Sequence, residues 1–277
     1  MNFGMSNPRI YWHKKKPVPS VSTVTKIFQS GIPFNWPATR AMQFIRDNIT
    51  NPEWGIDDLL IEAVDDAERY MLECATLGTA GHESISESFI TGNRVPIYPK
   101  CWNDDIMDRN IYEKLLKNAW DWIDQHHVEP ILVEKAFSNE GWAGTLDLFC
   151  EMDSEGFKTK RWCKLRGVKY PQPHQRVRTL IDWKFCNGFY DDMPVKLSAY
   201  FKLLEEYDYN PEAMVIGRFS KETGSLNVKD YTNEYKESLE TFQLACKLFH
   251  LNFKNYLENL EQEAERQRIA KAERNKK

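Results

Sequence analysis

The chain has 277 residues, 42% of them hydrophobic and 13% aromatic, which is enough apolar material for a large packed core and excludes a disordered chain. The formal net charge of −4 excludes a global basic field, so any surface for a polyanion has to be local. Six cysteines, at 74, 101, 150, 163, 186 and 246, form no C-x-x-C pair, which excludes a zinc ribbon or a redox motif and fits reduced intracellular thiols.

The opening, MNFGMSNPRIYWHKKKP, lacks the apolar run of a signal peptide, and no segment reaches the roughly 18 apolar residues of a membrane span. A cytoplasmic location, in a bacterium or an infected host cell, is the expectation, with no membrane partner. The first 30 residues read as a basic, proline-punctuated arm that ends in PSVSTVTKIFQSG. A helical part, 31–128, follows. It holds a short helix over 41–48, a longer one over 56–76 with Leu59, Leu60, Ala63, Ala67 and Met71 at helical spacing, and a third over 111–125. Between the last two, LGTAGHESISESFITG places Gly78 and Gly81 at a helix entrance.

The periodicity then changes. ILVEKAFS, a turn at Asn139-Glu140-Gly141, and WAGTLDLFCEMD read as two strands, and RTLIDWKF as a third. A helix over 193–206, the strands AMVIGRFS and SLNVKDY, and a long helix from about 234 complete the pattern, ending in a charged tail expected to fray. The sequence predicts one domain over 1–277, with an α/β core whose central mixed sheet occupies 129–231, followed by a C-terminal helix and tail over 232–277.

Chemistry is concentrated in three stretches. In TLIDWKF, period-2 alternation puts Asp182 and Lys184 on one face while Ile181 and Trp183 turn into the core. Asp147 sits between Leu146 and Leu148 in the preceding strand, and Glu134 lies within ILVEKAF. Neighbouring carboxylates repel unless a proton or a cation lies between them, and a hard divalent ion such as Mg²⁺ or Mn²⁺ resolves the conflict. Asp147 and Asp182 are thus expected metal ligands, with His82 as a third. Lys184 is the expected catalytic lysine beside the bound water, and Glu134 the expected catalytic assistant. Such a site suits phosphodiester hydrolysis.

These residues carry a resemblance. Asp147 followed at Asp182 by D-W-K, with a strand-borne Glu134 before them and Gly78-x-x-x-His82 upstream, resembles the PD-(D/E)XK nuclease superfamily, and within it the RecB-type and lambda-exonuclease-like branch. The PSVSTVTKIF segment is similar to the opening of phage members. Tyr200 matches the tyrosine of the family's Q-x-x-x-Y helix, whereas Lys196 stands where the family has glutamine. The resemblance implies a restriction-endonuclease-like core and a metal-dependent deoxyribonuclease. An exonuclease of phage or bacterial recombination, replication or end processing is the leading implication, with a recombination or replication protein as a further partner and with oligomeric state open. A structure-specific or restriction-like endonuclease and a non-catalytic DNA-binding subunit are the alternatives, and single- or double-stranded DNA the expected partner. It also implies that Tyr200 and Lys196 hold the strand.

An insertion between the two catalytic strands, 151–178, supplies local positive charge. Lys158, Lys160, Arg161, Lys164, Arg166, Lys169, Arg176 and Arg178 occur there without an acid from 158 to 178, interleaved with Trp162 and Tyr170. Such a stretch pairs phosphates and stacks bases, so it is expected to lie against nucleic acid.

Overall fold

Alternating apolar residues in the second half of the chain build a five-stranded sheet, seen in a computed structural model that describes residues 8–26, 36–51, 54–104, 106–156 and 175–274. Before it come a hairpin of β1 (Ile10–His13) and β2 (Lys16–Pro19), then helices α1 (Val21–Thr25), α2 (Trp36–Asn48), α3 (Ile56–Thr91) and α4 (Arg109–Gln125). The sheet strands are β3 (Glu129–Ser138), β4 (Ala143–Asp153), β5 (Arg176–Phe185), β6 (Ala213–Phe219) and β7 (Leu226–Asp230). Helix α5 (Asp192–Glu206) connects β5 to β6, and α6 (Tyr235–Asn252) and α7 (Lys254–Arg274) follow β7.

The strands lie side by side in chain order. β5 and β6 run parallel, as the α5 crossover demands, and every other neighbouring pair is antiparallel, so the sheet is mixed as expected. Its two faces bury separate cores. Leu148, Cys150, Ile181, Trp183 and Val215 face Ile85 of α3 and Tyr112, Leu115 and Leu116 of α4. Phe149, Leu180, Met214 and Ile216 face Val21 and Val24 of α1, Leu197 and Phe201 of α5 and Phe242 of α6. The fold is therefore α/β, with helices on both faces of a central mixed sheet.

Three expectations are corrected. The first 30 residues are not simply an arm: β1 and β2 pair from Ile10↔Pro19 to His13↔Lys16 around a turn in which Lys14 and Lys15 both adopt positive φ, 45° and 72°. Ser20 then caps α1, its Oγ accepting from the Thr23 N–H at 3.0 Å. The helix expected to end near 76 runs unbroken through Gly78 and Gly81 for 36 residues, about 54 Å, and stops at Gly92, whose φ of 76° forms a left-handed cap. Gly81 is there because a β-carbon would lie 2.1 Å from the Phe185 ring, so the glycine lets α3 close onto β5. The tail is helical through Arg274, after a break at Phe253 whose ring stacks on Phe249. Among the described residues, no helix is long and apolar enough to cross a membrane.

Candidate metal centre

The strands that carry the acids part company where the acids sit. β4 and β5 are in register from Asp153↔Arg176 to Leu148↔Ile181, and the ladder ends there. Asp147 and Asp182 are the next residues out. Along β4 the alternation also breaks at this point: Leu148 joins the α3/α4 core and Leu146 the opposite one. In place of the ladder, the Trp183 backbone N–H donates to Asp147 Oδ2 at 2.8 Å. Behind the splay Trp183 is 1% exposed and lies over Gly217, where a β-carbon would come within 2.3 Å of the indole. The strand is thereby fixed in depth.

Helix α3 closes the site from one side. With Gly81 against Phe185, the next residue, His82, brings Nδ1 to 3.2 Å from the same Asp147 Oδ2. One turn later Ser86, on the same helix face, donates its hydroxyl to Glu134 Oε1 at 3.1 Å. Glu134 lies between the pairs Val133↔Leu148 and Lys135↔Leu146, so it faces Asp147 across the β3–β4 ladder. It does so with φ of 46°, a conformation that costs a non-glycine residue about 1–3 kcal/mol and is held only by its surroundings. The ligand atoms of His82, Glu134 and Asp147 all lie within 4.8 Å of one another.

Lys184 reaches the same cleft. Its ammonium is ion-paired with Asp182 and donates to the Trp183 carbonyl at 3.2 Å. The cleft has a volume of about 1050 Å³. His82, Glu134, Asp147 and Lys184 form its floor, and Ser22, Gly78, Glu83 and Glu87 also border it.

Burial and mutual charge set the protonation of the group. Burial draws the His82 imidazole down, but the Asp147 carboxylate beside it more than compensates and holds it above its ordinary value. Burial would raise Asp147, yet His82, Lys184 and the Trp183 N–H together keep it below the usual carboxylate range. Burial and the Asp147 charge raise Glu134 against the Ser86 hydrogen bond. Asp182 is raised by burial, and by Asp147, against the pull of Lys184. Lys184 stays above its ordinary value because Asp182 and Asp147 outweigh its desolvation. Three carboxyl groups, Glu134, Asp147 and Asp182, thus share the site with two basic side chains, His82 and Lys184.

The sequence-predicted residues separate into those brought together and those kept apart. His82, Asp147 and Glu134 converge. Asp182, the other expected carboxylate ligand, is ion-paired with Lys184 beside that trio, and Glu134, the expected assistant, stands within it. Tyr200 is half-buried: its ring packs so closely on Gly144 that a β-carbon there would be 2.5 Å away, and its hydroxyl bonds Ser22, which borders the cleft. Lys196, one turn earlier, is paired with Asp192 at 2.5 Å.

The basic insertion is corrected in part. Lys158, Lys160, Arg161, Lys164, Arg166 and Lys169 fall outside the described residues. Arg176 and Arg178 belong to β5 itself, at the end remote from Lys184; six residues of strand put Arg176 roughly 20 Å from Asp182. Arg176 is tied to Glu129 at 3.2 Å and to Asp153 at 3.6 Å, and Arg178 to Glu212 at 3.6 Å. These two arginines brace the strand end. Ser86 and Ser22 escaped sequence reading; the i, i+4 spacing of Ser86 from His82 was the available signal for the first.

No protein-family model matches the chain, and no curated protein is significantly similar to it.

Proposed function

We propose that this chain is a divalent-metal-dependent nuclease of the PD-(D/E)XK type, hydrolysing DNA phosphodiester bonds from a strand end. The observation that carries the reading is the convergence of His82, Glu134 and Asp147 within 4.8 Å, beside the Lys184 ammonium, at the point where β4 and β5 separate. The mixed sheet with helices on both faces supports a restriction-endonuclease-like core.

The donor set fits the cation that this reading needs. Two carboxylates and one imidazole suit a hard divalent ion, and the imidazole favours Mn²⁺ at least as much as Mg²⁺. His82, Glu134 and Asp147 would hold the cation, which when bound would supply an acidified water and polarise a phosphoryl oxygen. Lys184 contributes a fixed positive charge for the anionic transition state. Asp182 keeps that ammonium in place, an anchoring role instead of the ligand role expected from sequence. Ser86 holds Glu134, and Tyr200 with Gly144 sets the depth of the floor. The wall residues Glu83 and Glu87 repel a phosphate chain, so the strand depends on the cation and Lys184 for entry. End processing in phage or bacterial recombination or replication is the setting we infer for this activity.

End-labelled linear DNA and covalently closed circular DNA, incubated with Mg²⁺ or Mn²⁺, test the reading. Loss of the linear substrate with survival of the circle supports an exonuclease. Cutting of the circle moves the reading to an endonuclease. Binding without cleavage under every divalent ion overturns the enzyme and leaves a DNA-binding subunit.

A further inference from the structure

Glycine in the interior of a helix is destabilising relative to alanine, so each one needs a reason. Elsewhere around the site the reason is packing. A β-carbon at Gly81 would strike the Phe185 ring at 2.1 Å, one at Gly144 the Tyr200 ring at 2.5 Å, and one at Gly217 the Trp183 indole at 2.3 Å. Gly78 differs. A β-carbon there meets nothing within 4 Å, and the backbone is ordinary α-helix, so neither a close neighbour nor a left-handed φ asks for glycine.

What Gly78 does border is the cleft, one helical turn before His82 and on the same face. Ala75 and Thr79 extend the same wall with small side chains, while Glu83 and Glu87 crowd it further along. A side chain at 78 would therefore stand in open space at the border of the cleft that the three converging ligands also line.

Resting on the nuclease reading, we propose that Gly78 is a specificity-determining position: on the stretch of the α3 wall that precedes Glu83 and Glu87, it leaves clear the space through which one substrate strand reaches the metal centre. The position touches neither the ligands nor the sheet, so filling it obstructs the strand while leaving metal binding and folding intact. The recognised chemistry is the sugar-phosphate chain of a nucleic acid. A small free anion passes a filled position 78, and a polymer strand does not.

The test is a size series, Gly78→Ala, Gly78→Ser and Gly78→Leu, with Thr76→Leu as a control that places a leucine on an exposed part of α3 outside the cleft. Four readouts are needed: melting temperature, Mn²⁺ affinity by calorimetry, binding of a labelled single-stranded oligonucleotide in Ca²⁺, and Mn²⁺-dependent digestion. The expected result is a melting temperature at or above wild type for Gly78→Ala and Mn²⁺ affinity within twofold for the series. Oligonucleotide binding and digestion are expected to fall with side-chain size, at least tenfold for Gly78→Leu, and Thr76→Leu to behave as wild type. Wild-type binding and digestion by Gly78→Leu overturn the proposal. Should Gly78→Leu not fold, flat behaviour across Ala and Ser overturns it equally. If the wild type digests nothing, the nuclease reading fails on its own, and the binding arm still decides the role of Gly78.

Discussion

Ser86 on α3 donates its hydroxyl to Oε1 of Glu134 at 3.1 Å, while Glu134 sits in β3 with a backbone φ of 46°. The helix thus holds in place a carboxylate whose own backbone resists the position. This pairing gives a stability prediction with an unusual sign. Glu134→Asn, which tolerates a left-handed φ and removes a carboxylate raised by burial, should melt at or above wild type while Mn²⁺ affinity falls at least tenfold. Ser86→Ala should weaken Mn²⁺ binding several-fold, and Ser86→Thr should restore most of it. Calorimetry and thermal melts measure both.

Protons compete with the cation at this site. Glu134, raised in the folded protein, contributes stability below its unfolded value of about 4.3 and loses it as pH rises through its folded value. Asp147, depressed, does the reverse: its contribution is present above about 3.9 and is lost as pH falls through its folded value. His82, held above its ordinary value of about 6.5, must shed a proton to act as a ligand. Mn²⁺ affinity should therefore rise between pH 5 and pH 8, with proton release on binding. Titrations in two buffers of different ionisation enthalpy measure that release, and Glu134→Gln should reduce it.

Lys184 is separable from the metal group. Lys184→Met should leave Mn²⁺ affinity unchanged or higher, because it removes a cation from beside the ligands. Digestion should slow by about 10²–10³-fold, the scale of losing one preorganised charge at a transition state. Single-turnover rates at saturating Mn²⁺ provide the measurement.

The approach of α3 to β5 depends on Gly81. Gly81→Ala forces its β-carbon against the Phe185 ring, at 2.1 Å in the unrelaxed geometry. Overpacking of this kind costs about 1–3 kcal/mol, and in a chain of this size each kcal/mol lowers the melting temperature by about 2–4 °C. Because His82 is the next residue, metal affinity should drop in the same variant.

Much of this was legible in the sequence because the strands announce themselves. Alternation in TLIDWKF accounts for both the burial of Ile181 and Trp183 and the placing of Asp182 and Lys184 on one face. What was lost depended on contacts between distant residues. Gly78 and Gly81 resemble a helix boundary until Phe185 supplies the reason for the second. The hairpin at Lys14–Lys15 carries neither the Gly nor the Asn that usually marks such a turn. That Glu134 stands with His82 and Asp147 while Asp182 is ion-paired with Lys184 depends on how the strands lie beyond Leu148↔Ile181, which no local pattern encodes. Arg176 and Arg178 fall within the basic insertion of the sequence reading because its end, 178, overlaps the first residues of β5, which begins at Arg176.

The central claim is that one cluster, His82, Glu134 and Asp147, both holds the divalent ion and cleaves DNA. Mn²⁺ calorimetry and linear-DNA digestion on the wild type and on Asp147→Asn test it in one experiment. The expected result is a wild type that binds Mn²⁺ and digests DNA, and a folded Asp147→Asn that has lost both. An Asp147→Asn protein that still binds Mn²⁺ and digests DNA at the wild-type rate would contradict it.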